Sequence, residues 1–244
     1  MEQVGKIVNV SILNMIPIKY SQNFISDNSL SLQIVDLTDI NPDDLVIEIG
    51  SGAGALTKYL IQKTKRLITI EKDPQFTSNP IDFMEYELPQ ESFKIVGNIP
   101  FALTADIVRK LLSSSYLESA YLIMQKETGD KFVSGTLQSI LYQIDFEIKN
   151  LLFIERRHFR PQPKVDACLI SFTRKPIPEI TNSKFKDFVT YKYVHSDWKN
   201  KVTQLNIQQW IELFNKEYDS KFNGAYQKLL DQQKKLQKRH RTDI

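Results

Sequence analysis

The sequence is poor in the residues that build metal and disulfide sites. Its 244 residues include one cysteine, Cys168, and three widely separated histidines, His158, His195 and His240. One cysteine cannot form an intramolecular disulfide, and the histidines lack the spacing of a zinc site. We therefore expect no bound metal and a reducing compartment. We also expect a structural role for Cys168, which stands in a strand-like run.

Long apolar runs and a strong excess of one charge are also missing. The formal net charge is only +3, so any affinity for nucleic acid has to come from where the charges lie. Residues 1–18 carry short apolar runs broken by polar residues, without the continuous apolar core of a signal peptide or the length of a membrane span. We expect a cytoplasmic protein with no membrane partner, and we assign no role to this lead segment.

A glycine-rich turn joins a predicted strand to a predicted helix. Leu45–Ile49 is apolar apart from Glu48, and Gly50–Gly54, the glycine turn, follows it directly. In nucleotide-binding folds such glycines let a ligand approach the backbone at a helix N-terminus. A dinucleotide site requires a glycine where Ala55 stands. An acid followed by alternating glycines is instead typical of sites for S-adenosylmethionine, which has no pyrophosphate.

An acidic residue ends the next predicted strand. Arg66–Ile70 runs directly into Glu71. A carboxylate at the tip of the second strand of such a fold can accept hydrogen bonds from both ribose hydroxyls of a bound nucleoside. The alternative is an ordinary surface acid, but the preceding glycine turn favours the ribose role.

The segment after Glu71 is too short for a normal crossover between parallel strands. Such a crossover needs about a dozen residues and usually contains a helix. Only residues 72–80, which include prolines, precede the next candidate strand end at residues 81–84. We predict a non-helical crossover in which Asp82 accepts from the donor's adenine amine and Phe83 packs on that ring. A plain loop acid is the alternative for Asp82.

The segment Gly97–Phe101, the amide turn, follows the apolar run 93–96 and has the composition of a site for a planar amine. The exocyclic amine of adenine is a poor nucleophile because its lone pair is delocalised into the ring. The Asn98 amide oxygen and a backbone carbonyl exposed by the Pro100 turn can accept its two hydrogens and favour a pyramidal nitrogen, so no general base is required. Phe101 offers a flat ring for the base. An ordinary Asn-Pro turn is the alternative.

Residues 155–165, the basic loop, combine cationic residues with prolines and an aromatic ring. They include Arg156, Arg157, Phe159, Arg160 and Lys164. Cations that alternate with aromatic rings suit an unpaired nucleotide, with phosphates on the cations and the base on the ring. A solvated charged loop is the alternative. We predict that the basic side chains bind RNA.

The remaining periodicity predicts further helices and strands. The predicted helices are 28–37, 104–114 and 127–143, and the predicted strands are 119–124, 146–154 and 166–173. The last two strands are expected to pair antiparallel in a mixed sheet. After residue 177, aromatic residues such as Trp210 and Phe214 predict a small helical domain. Its lysines and final basic run are candidates for contacts with RNA phosphates.

Taken in order, these motifs resemble those of the rRNA adenine N6-dimethyltransferases, and most of all the Erm family. The motifs are Ser21–Phe24, Glu48–Gly54, Glu71, Asn98–Phe101 and Phe159–Asp166. The resemblance covers about residues 19 to 175. Members of the Erm family methylate one adenine of 23S rRNA and so confer resistance to macrolides, lincosamides and streptogramin B.

The resemblance implies an α/β fold, the Rossmann-like class I S-adenosylmethionine-dependent methyltransferase fold, with a small C-terminal helical domain. Residues 19–176 would form the methyltransferase domain and residues 177–244 a basic, rRNA-binding domain. The methyl donor would be S-adenosylmethionine and the product S-adenosylhomocysteine. The partner would be 23S rRNA or its precursor, and we expect a monomer.

The resemblance also implies site residues, motif by motif. The donor would contact Gln22, Asn23, Phe24, Gly50, Ser51, Gly52, Glu71, Lys72, Asp82, Phe83 and Asn98. Catalysis would depend on Asn98, Ile99, Pro100, Phe101 and Phe159. The Ile99 carbonyl would be the second acceptor for the target amine. Phe101 and Phe159 would stack on either side of an adenine flipped out of its helix.

Two alternatives stay open. The KsgA-type enzymes, which dimethylate small-subunit rRNA, share all of these motifs, although the short chain and the Phe-Arg-Pro-x-Pro sequence favour Erm. A non-catalytic nucleic-acid-binding relative is favoured by the short crossover alone. The intact Asn98–Phe101 motif argues against it, since a pure binder has no need to hold an amine's hydrogens. The chain also has Phe101 where the family more often has tyrosine.

Overall fold

The computed structural model describes residues 23–176, 183–195 and 205–232. Within these ranges the chain forms two compact units. The first unit contains the residues up to Asp130 together with Glu147–Arg174, and the second contains Lys131–Phe146 and the residues from Lys175 onward. The lead segment, Gln22 and the final basic run lie outside the described residues.

Strands and helices alternate over much of the chain. The strands are β1 (Phe24–Ile25), β2 (Leu45–Ile49), β3 (Arg66–Ile70), β4 (Phe93–Asn98), β5 (Leu117–Gln125), β6 (Phe146–Ile154), β7 (Phe159–Arg160) and β8 (Ala167–Arg174). The helices are α1 (Asn28–Asp36), α2 (Thr57–Lys63), α3 (Thr104–Leu112), α4 (Lys126–Val133), α5 (Leu137–Gln143), α6 (Ser183–His195) and α7 (Ile207–Glu217). The predicted strands at 45–49 and 66–70 are confirmed.

A six-stranded sheet, in the order β3-β2-β4-β5-β8-β6, forms the framework of the first unit. Strands β3, β2, β4 and β5 run parallel, and β8 is antiparallel to β5. The apolar strands β2 and β4 are buried over almost their whole length, as expected for a parallel sheet covered on both faces. The predicted α/β architecture is therefore confirmed.

The register of the sheet brings three strand ends together. Ile49, the last residue of β2, lies beside Ile70 of β3 and Gly97 of β4. The carboxyl ends of neighbouring parallel strands lie at the same edge of a sheet, where ligands bind in open α/β folds. The glycine turn, Glu71 and the amide turn follow these three strand ends directly.

One hydrophobic core lies between the sheet and the helices α1 and α2. Val46 and Val96 from the sheet pack with Ile34 of α1 and Leu60 of α2, all with 0% exposure. Phe159 belongs to the same cluster. This core holds β2 and β4 in the positions from which the glycine turn and the amide turn emerge.

The contact between Gly129 of α4 and Cys168 of β8 leaves no room for a larger side chain. A Cβ atom on Gly129 would overlap Cys168 Sγ and lie 3.0 Å from Ile170 Cδ1. Cys168 is fully buried, and burial raises the pKa of its thiol to about 12, which keeps it unreactive. Cys168 therefore has the environment of a core residue.

We expect Gly129→Ala to lower the free energy of unfolding by about 1 to 3 kcal/mol, because overpacking outweighs the gain in helix propensity. Urea unfolding followed by circular dichroism measures the change. Adding Cys168→Ala to the same chain should restore most of the loss, since it removes the overlapping sulfur. A double variant as unstable as Gly129→Ala alone would contradict this explanation.

The second unit has a core rich in aromatic residues. Ile140 of α5 packs with Phe185 and Phe188 of α6 and with Trp210 and Phe214 of α7. Phe188 meets Phe214 edge to face, with ring centroids 5.4 Å apart. The helical structure predicted around Trp210 and Phe214 is thus confirmed.

The single helix predicted over residues 127–143 is wrong. The structure has α4 and α5 instead, separated at residues 134–136. Thr136 caps α5, because its side chain accepts a hydrogen bond from the Ser139 N–H and so begins a new helix. The break allows α5 to pack within the second unit, although the sequence pattern suggested one continuous element.

Residues 71–92, the crossover segment, contain neither a helix nor a strand. The predicted absence of a helix is confirmed, whereas the candidate strand end at 81–84 is wrong. The Asp82 side chain accepts from the Met84 N–H at 2.9 Å, and its carbonyl accepts from Glu85 and Tyr86 N–H groups. These local bonds favour a turn over an extended chain.

None of the described helices is both long and apolar enough to cross a membrane. In the same ranges of the chain, no group of three or more histidine, cysteine, aspartate or glutamate side chains is arranged to hold a metal ion.

Candidate active site

The glycine turn follows β2 with its backbone close to its neighbours. Gly50, Gly52 and Gly54 have φ angles of 73°, 49° and 80°. Side chains other than glycine's enter this region only at a cost. A Cβ atom on Gly50 would lie 3.0 Å from the Asn98 carbonyl oxygen, and one on Gly52 would lie 2.9 Å from the Phe24 ring. Glycine is therefore required here by both conformation and space.

The Asn98 side chain is held in one orientation at the end of β4. Its Nδ2 donates a hydrogen bond to the Asn23 carbonyl oxygen at 2.7 Å. Because a carbonyl can only accept, the amide nitrogen must face Asn23, which leaves Oδ1 as the acceptor for another group. Pro100, with φ of −60° and ψ of 125°, then turns the chain out of the strand. The amide turn thus presents an oriented acceptor.

Glu71 is fixed by two backbone hydrogen bonds. Its Oε2 accepts from the Gly52 N–H and its Oε1 from the Asp73 N–H, each at 2.8 Å. The side chain is only 7% exposed. Each carboxylate oxygen has a second lone pair, so Glu71 can still accept from hydroxyl groups of a ligand. These bonds join the glycine turn to the tip of β3.

Asp82 and Phe83 lie in the crossover segment with partners of their own. Lys72 Nζ lies 2.6 Å from Asp82 Oδ2, and this hydrogen bond holds the pKa of Asp82 below its usual value. The Phe83 ring is buried. Phe83 can therefore serve as a wall of a site, and Asp82 is held as a carboxylate beside Lys72.

A small cavity lies between β2, the glycine turn and β1. It measures about 20 Å³, and its lining includes Phe24, Glu48, Gly50, Ser51 and Asn98. Such a volume admits about one water molecule. The Phe24 ring also lies against Phe76, with centroids 5.0 Å apart. The cavity is therefore much smaller than the usual binding site of a small molecule.

The two rings predicted to enclose an adenine differ in accessibility. Phe101 begins a short 3-10 helix and is half-buried. Phe159 is 0% exposed, since β7 pairs antiparallel with β1 and places Phe159 beside Ile25 in the core. Phe159 is therefore enclosed in the core of the first unit, and its stacking on a base stays a prediction. Among the predicted rings, Phe101 is the accessible one.

The basic loop exposes all four predicted RNA-binding residues, Arg156, Arg157, Arg160 and Lys164. Arg156 donates to the Lys164 carbonyl at 3.0 Å, and Arg160 donates to two loop carbonyls at 2.9 Å. Arg157 forms an exposed ion pair with Glu155 at 2.8 Å. The guanidinium groups thus stabilise the loop and still face solvent.

Comparison with known protein families gives one decisive match. The model of a family described as ribosomal RNA adenine dimethylase matches residues 14–222. This range contains the glycine turn, Glu71, the amide turn and the basic loop. The chain belongs to this family. It is thus an S-adenosylmethionine-dependent rRNA adenine methyltransferase, and the predicted Erm/KsgA relationship is confirmed.

Relatives of this chain carry two kinds of name. The ribosomal RNA small subunit methyltransferase A of Malacoplasma penetrans is 31% identical over 226 residues, covering 81% of this chain and 82% of the relative. An rRNA adenine N-6-methyltransferase of Bacillus licheniformis is 31% identical over 186 residues, covering 68% of this chain and 65% of the relative. Both branches of the family are therefore represented.

Solved structures agree with the dimethylase fold. The 23S rRNA methyltransferase ErmE superposes with a TM-score of 0.72 at 23% identity, covering 79% of this chain and 98% of ErmE. A dimethyladenosine transferase from Plasmodium falciparum gives a TM-score of 0.61 at 22% identity, covering 70% of each chain. At these identities the similarity establishes the fold alone.

The residues of this methyltransferase fit S-adenosylmethionine, the methyl donor that the family implies. Gly50 and Gly52 keep the turn bare of side chains, and their positive φ angles give it a conformation in which a nucleoside ligand can approach the backbone closely. The fixed carboxylate of Glu71 has lone pairs for ribose hydroxyls. The predicted contact from Gln22 lies outside the described residues.

Sequence reasoning used Glu48 only as part of a motif, without a role of its own, and it did not find the contact between Asp27 and His158. Glu48 lines the small cavity, and its Oε2 accepts from the Thr57 hydroxyl at 2.6 Å. His158 Nδ1 lies 2.9 Å from a carboxylate oxygen of Asp27, which caps α1. The acid two residues before the glycine turn was a visible signal for Glu48, whereas no sequence pattern links Asp27 to His158.

Glu48 predicts a pH dependence of stability. Burial, with a contribution from the charge of Glu71, raises the pKa of Glu48 from 4.5 to about 7. The unfolded chain releases this proton near pH 4.5 and the folded chain only near pH 7. The free energy of unfolding therefore falls by roughly 3 kcal/mol as the pH rises through this window, and Glu48→Gln should remove that fall. Urea unfolding of both proteins between pH 4.5 and 8 tests this, and parallel curves would contradict it.

Proposed function

We propose that this dimethylase transfers methyl groups from S-adenosylmethionine to the N6 amine of an adenine in 23S rRNA. The observation that carries the proposal is the fixed amide of Asn98, whose Nδ2 is engaged by the Asn23 carbonyl at 2.7 Å. This arrangement supports the use of Oδ1 as an acceptor for an amine hydrogen. It lies beside the glycine turn, where the donor is expected.

The proposed chemistry depends on positioning. Bound S-adenosylmethionine supplies an electrophilic methyl group on a sulfonium. Asn98 Oδ1 accepts one hydrogen of the adenine amine and the Ile99 carbonyl accepts the other, which favours the pyramidal nitrogen needed for attack. Phe101 holds the flipped base by stacking. No side chain has to remove a proton before attack.

The proposed donor residues are those of the motifs that resemble the family. We assign the methionyl end to Asn23, Phe24, Gly50, Ser51 and Gly52, the ribose to Glu71, and the adenine to the crossover segment with Lys72, Asp82 and Phe83. The closeness of Gly50 to the Asn98 carbonyl supports this arrangement, since it brings donor and acceptor sites together. The exposed basic loop would bind rRNA phosphates.

The 23S target is supported by the Phe159–Pro163 sequence, which resembles that of the Erm family. Expression would then confer resistance to macrolides, lincosamides and streptogramin B. We infer that the protein acts as a monomer in the cytoplasm, where rRNA is assembled into ribosomes.

A second candidate is an adenine of small-subunit rRNA. It is favoured by the name of the Malacoplasma penetrans relative, a small subunit methyltransferase A that matches over four fifths of both chains. The same Asn98 chemistry would apply to this target, so the two candidates differ only in which RNA the protein recognises.

A labelling experiment separates the two targets. The purified protein is incubated with radiolabelled S-adenosylmethionine and either protein-free 23S rRNA or immature small subunits, and primer extension maps the modified adenine. Asn98→Ala serves as the control for contaminating enzymes. A stop in 23S rRNA supports the first candidate and one in 16S rRNA the second. No label in either RNA would contradict the proposed function.

A further inference from the structure

The ammonium group of Lys110, on α3, is enclosed by backbone carbonyls of the crossover segment. Nζ lies 2.6 Å from the carbonyl oxygen of Phe83, 3.0 Å from that of Met84 and 2.5 Å from that of Tyr86. An ammonium has three N–H donors, so these three acceptors use all of them. Nζ also lies 4.9 Å from the centre of the Phe83 ring, within range of a cation–π interaction.

The crossover segment needs such a contact because it has little regular structure. The carbonyls of Phe83, Met84 and Tyr86 belong to a turn that contributes to no helix or strand. The Lys110 ammonium group donates hydrogen bonds to three backbone carbonyls. It thereby fixes the stretch of backbone that carries the Phe83 side chain. Desolvation by this enclosure lowers the pKa of Lys110, while the charge of Asp82 opposes the shift.

Lys110 also connects two parts of the proposed site. On one side, the Ile81 N–H donates to the Glu71 carbonyl at 2.8 Å, which ties the turn to the tip of β3. On the other side, α3 begins at Thr104, directly after the amide turn and its short 3-10 helix. A displacement of Lys110 would therefore move Phe83 relative to both Glu71 and Asn98.

We propose that Lys110 is a positioning residue that makes the donor site selective for adenine. By binding the carbonyls of Phe83, Met84 and Tyr86, it holds Phe83 and Asp82 against the donor's base, in place of the helix that usually stiffens such a crossover. The inference rests on the proposed function, since it assigns the crossover segment to the donor's adenine.

The test compares binding of two ligands that differ in the base. S-adenosylhomocysteine carries adenine, and S-inosylhomocysteine carries hypoxanthine, which lacks the exocyclic amine. Calorimetry measures both dissociation constants for the native protein, Lys110→Met and Arg109→Met. Arg109 is the matched control because it lies on the same helix and makes an exposed ion pair with Asp106.

We expect the native protein to prefer S-adenosylhomocysteine. Lys110→Met should weaken the binding of S-adenosylhomocysteine about tenfold or more and remove most of the preference over S-inosylhomocysteine. The reason is that displaced Phe83 and Asp82 side chains no longer distinguish the two bases. Arg109→Met should leave both dissociation constants unchanged. Lys110→Arg, which keeps the charge but has planar donors, should restore part of the preference.

Three results would overturn the inference. In the first, Lys110→Met retains the native affinity and preference. In the second, Lys110→Met weakens the binding of both ligands equally, which would indicate a general structural role. The third is a native protein that binds both ligands equally well. If Lys110→Met fails to fold by circular dichroism, Lys110→Gln replaces it in the same comparison. A native protein that binds neither ligand would instead refute the proposed function itself.

Discussion

Asn98→Ala is expected to lower kcat for methyl transfer by about a hundredfold or more, with a much smaller change in donor affinity. Removal of one positioned electrostatic group from an active site typically costs about 10² to 10³ in rate. The variant loses the Oδ1 acceptor of Asn98. The orientation of this oxygen is fixed by the hydrogen bond from Nδ2 to the Asn23 carbonyl. Single-turnover transfer of a labelled methyl group to rRNA measures the rate, and calorimetry with S-adenosylhomocysteine measures the affinity.

Asn150→Ala is the matched control, because Asn150 is an exposed amide on β6, at the opposite margin of the sheet from β3. It should transfer methyl groups at close to the native rate. Near-native turnover by Asn98→Ala would show that methyl transfer does not need the Asn98 amide and that the amide turn has a purely structural role. Circular dichroism of Asn98→Ala should match that of the native protein, since the residue is only partly buried.

Gly50→Ala is expected to reduce kcat/KM nearly as severely, for a different reason. The added Cβ would lie 3.0 Å from the Asn98 carbonyl oxygen, so the ends of β2 and β4 have to move apart by a few tenths of an ångström, in addition to the backbone strain at a φ of 73°. A shift of about 1 Å at a reacting group can cost about a hundredfold in rate. We expect both a weaker donor affinity and a slower transfer, measured by the same calorimetry and single-turnover assay.

Gly54→Ala provides the control within the same turn. Its φ of 80° matches the 73° of Gly50, so both substitutions carry a similar backbone strain of about 1 to 2 kcal/mol. A Cβ on Gly54 meets only the Thr57 side chain, at an ordinary 3.8 Å. The loss at Gly50 should therefore exceed the loss at Gly54 by about tenfold or more. Equal losses would show that strain, and not the approach of β2 to β4, is responsible.

The central part of the site could be predicted from the sequence because it depends on local order. Gly50 and Glu71 directly follow the strands β2 and β3, and Asn98 ends β4. Once these strands are parallel, the three residues lie at the same edge of the sheet. The chain supplies both the strand pattern and the turn residues within a few positions of each other. No long-range contact had to be known.

Other features depend on contacts that the sequence does not encode locally. Phe159 lies in a basic, proline-rich loop, yet it is buried because β7 pairs with β1 about 135 residues earlier in the chain. Lys110 belongs to an ordinary amphipathic helix pattern, and only the folded chain brings it to the carbonyls of Phe83 and Tyr86. The break before α5 depends on the Thr136 cap, which the periodicity of the surrounding apolar residues conceals.

The strand order has a consequence for how this enzyme can vary in evolution. Strands β2 and β4 are direct neighbours, whereas the crossover segment leaves β3 at the margin of the sheet. Insertions or deletions in that segment alter the margin without separating Gly50 from Asn98. The length of the crossover segment can therefore vary without changing the contact between the ends of β2 and β4.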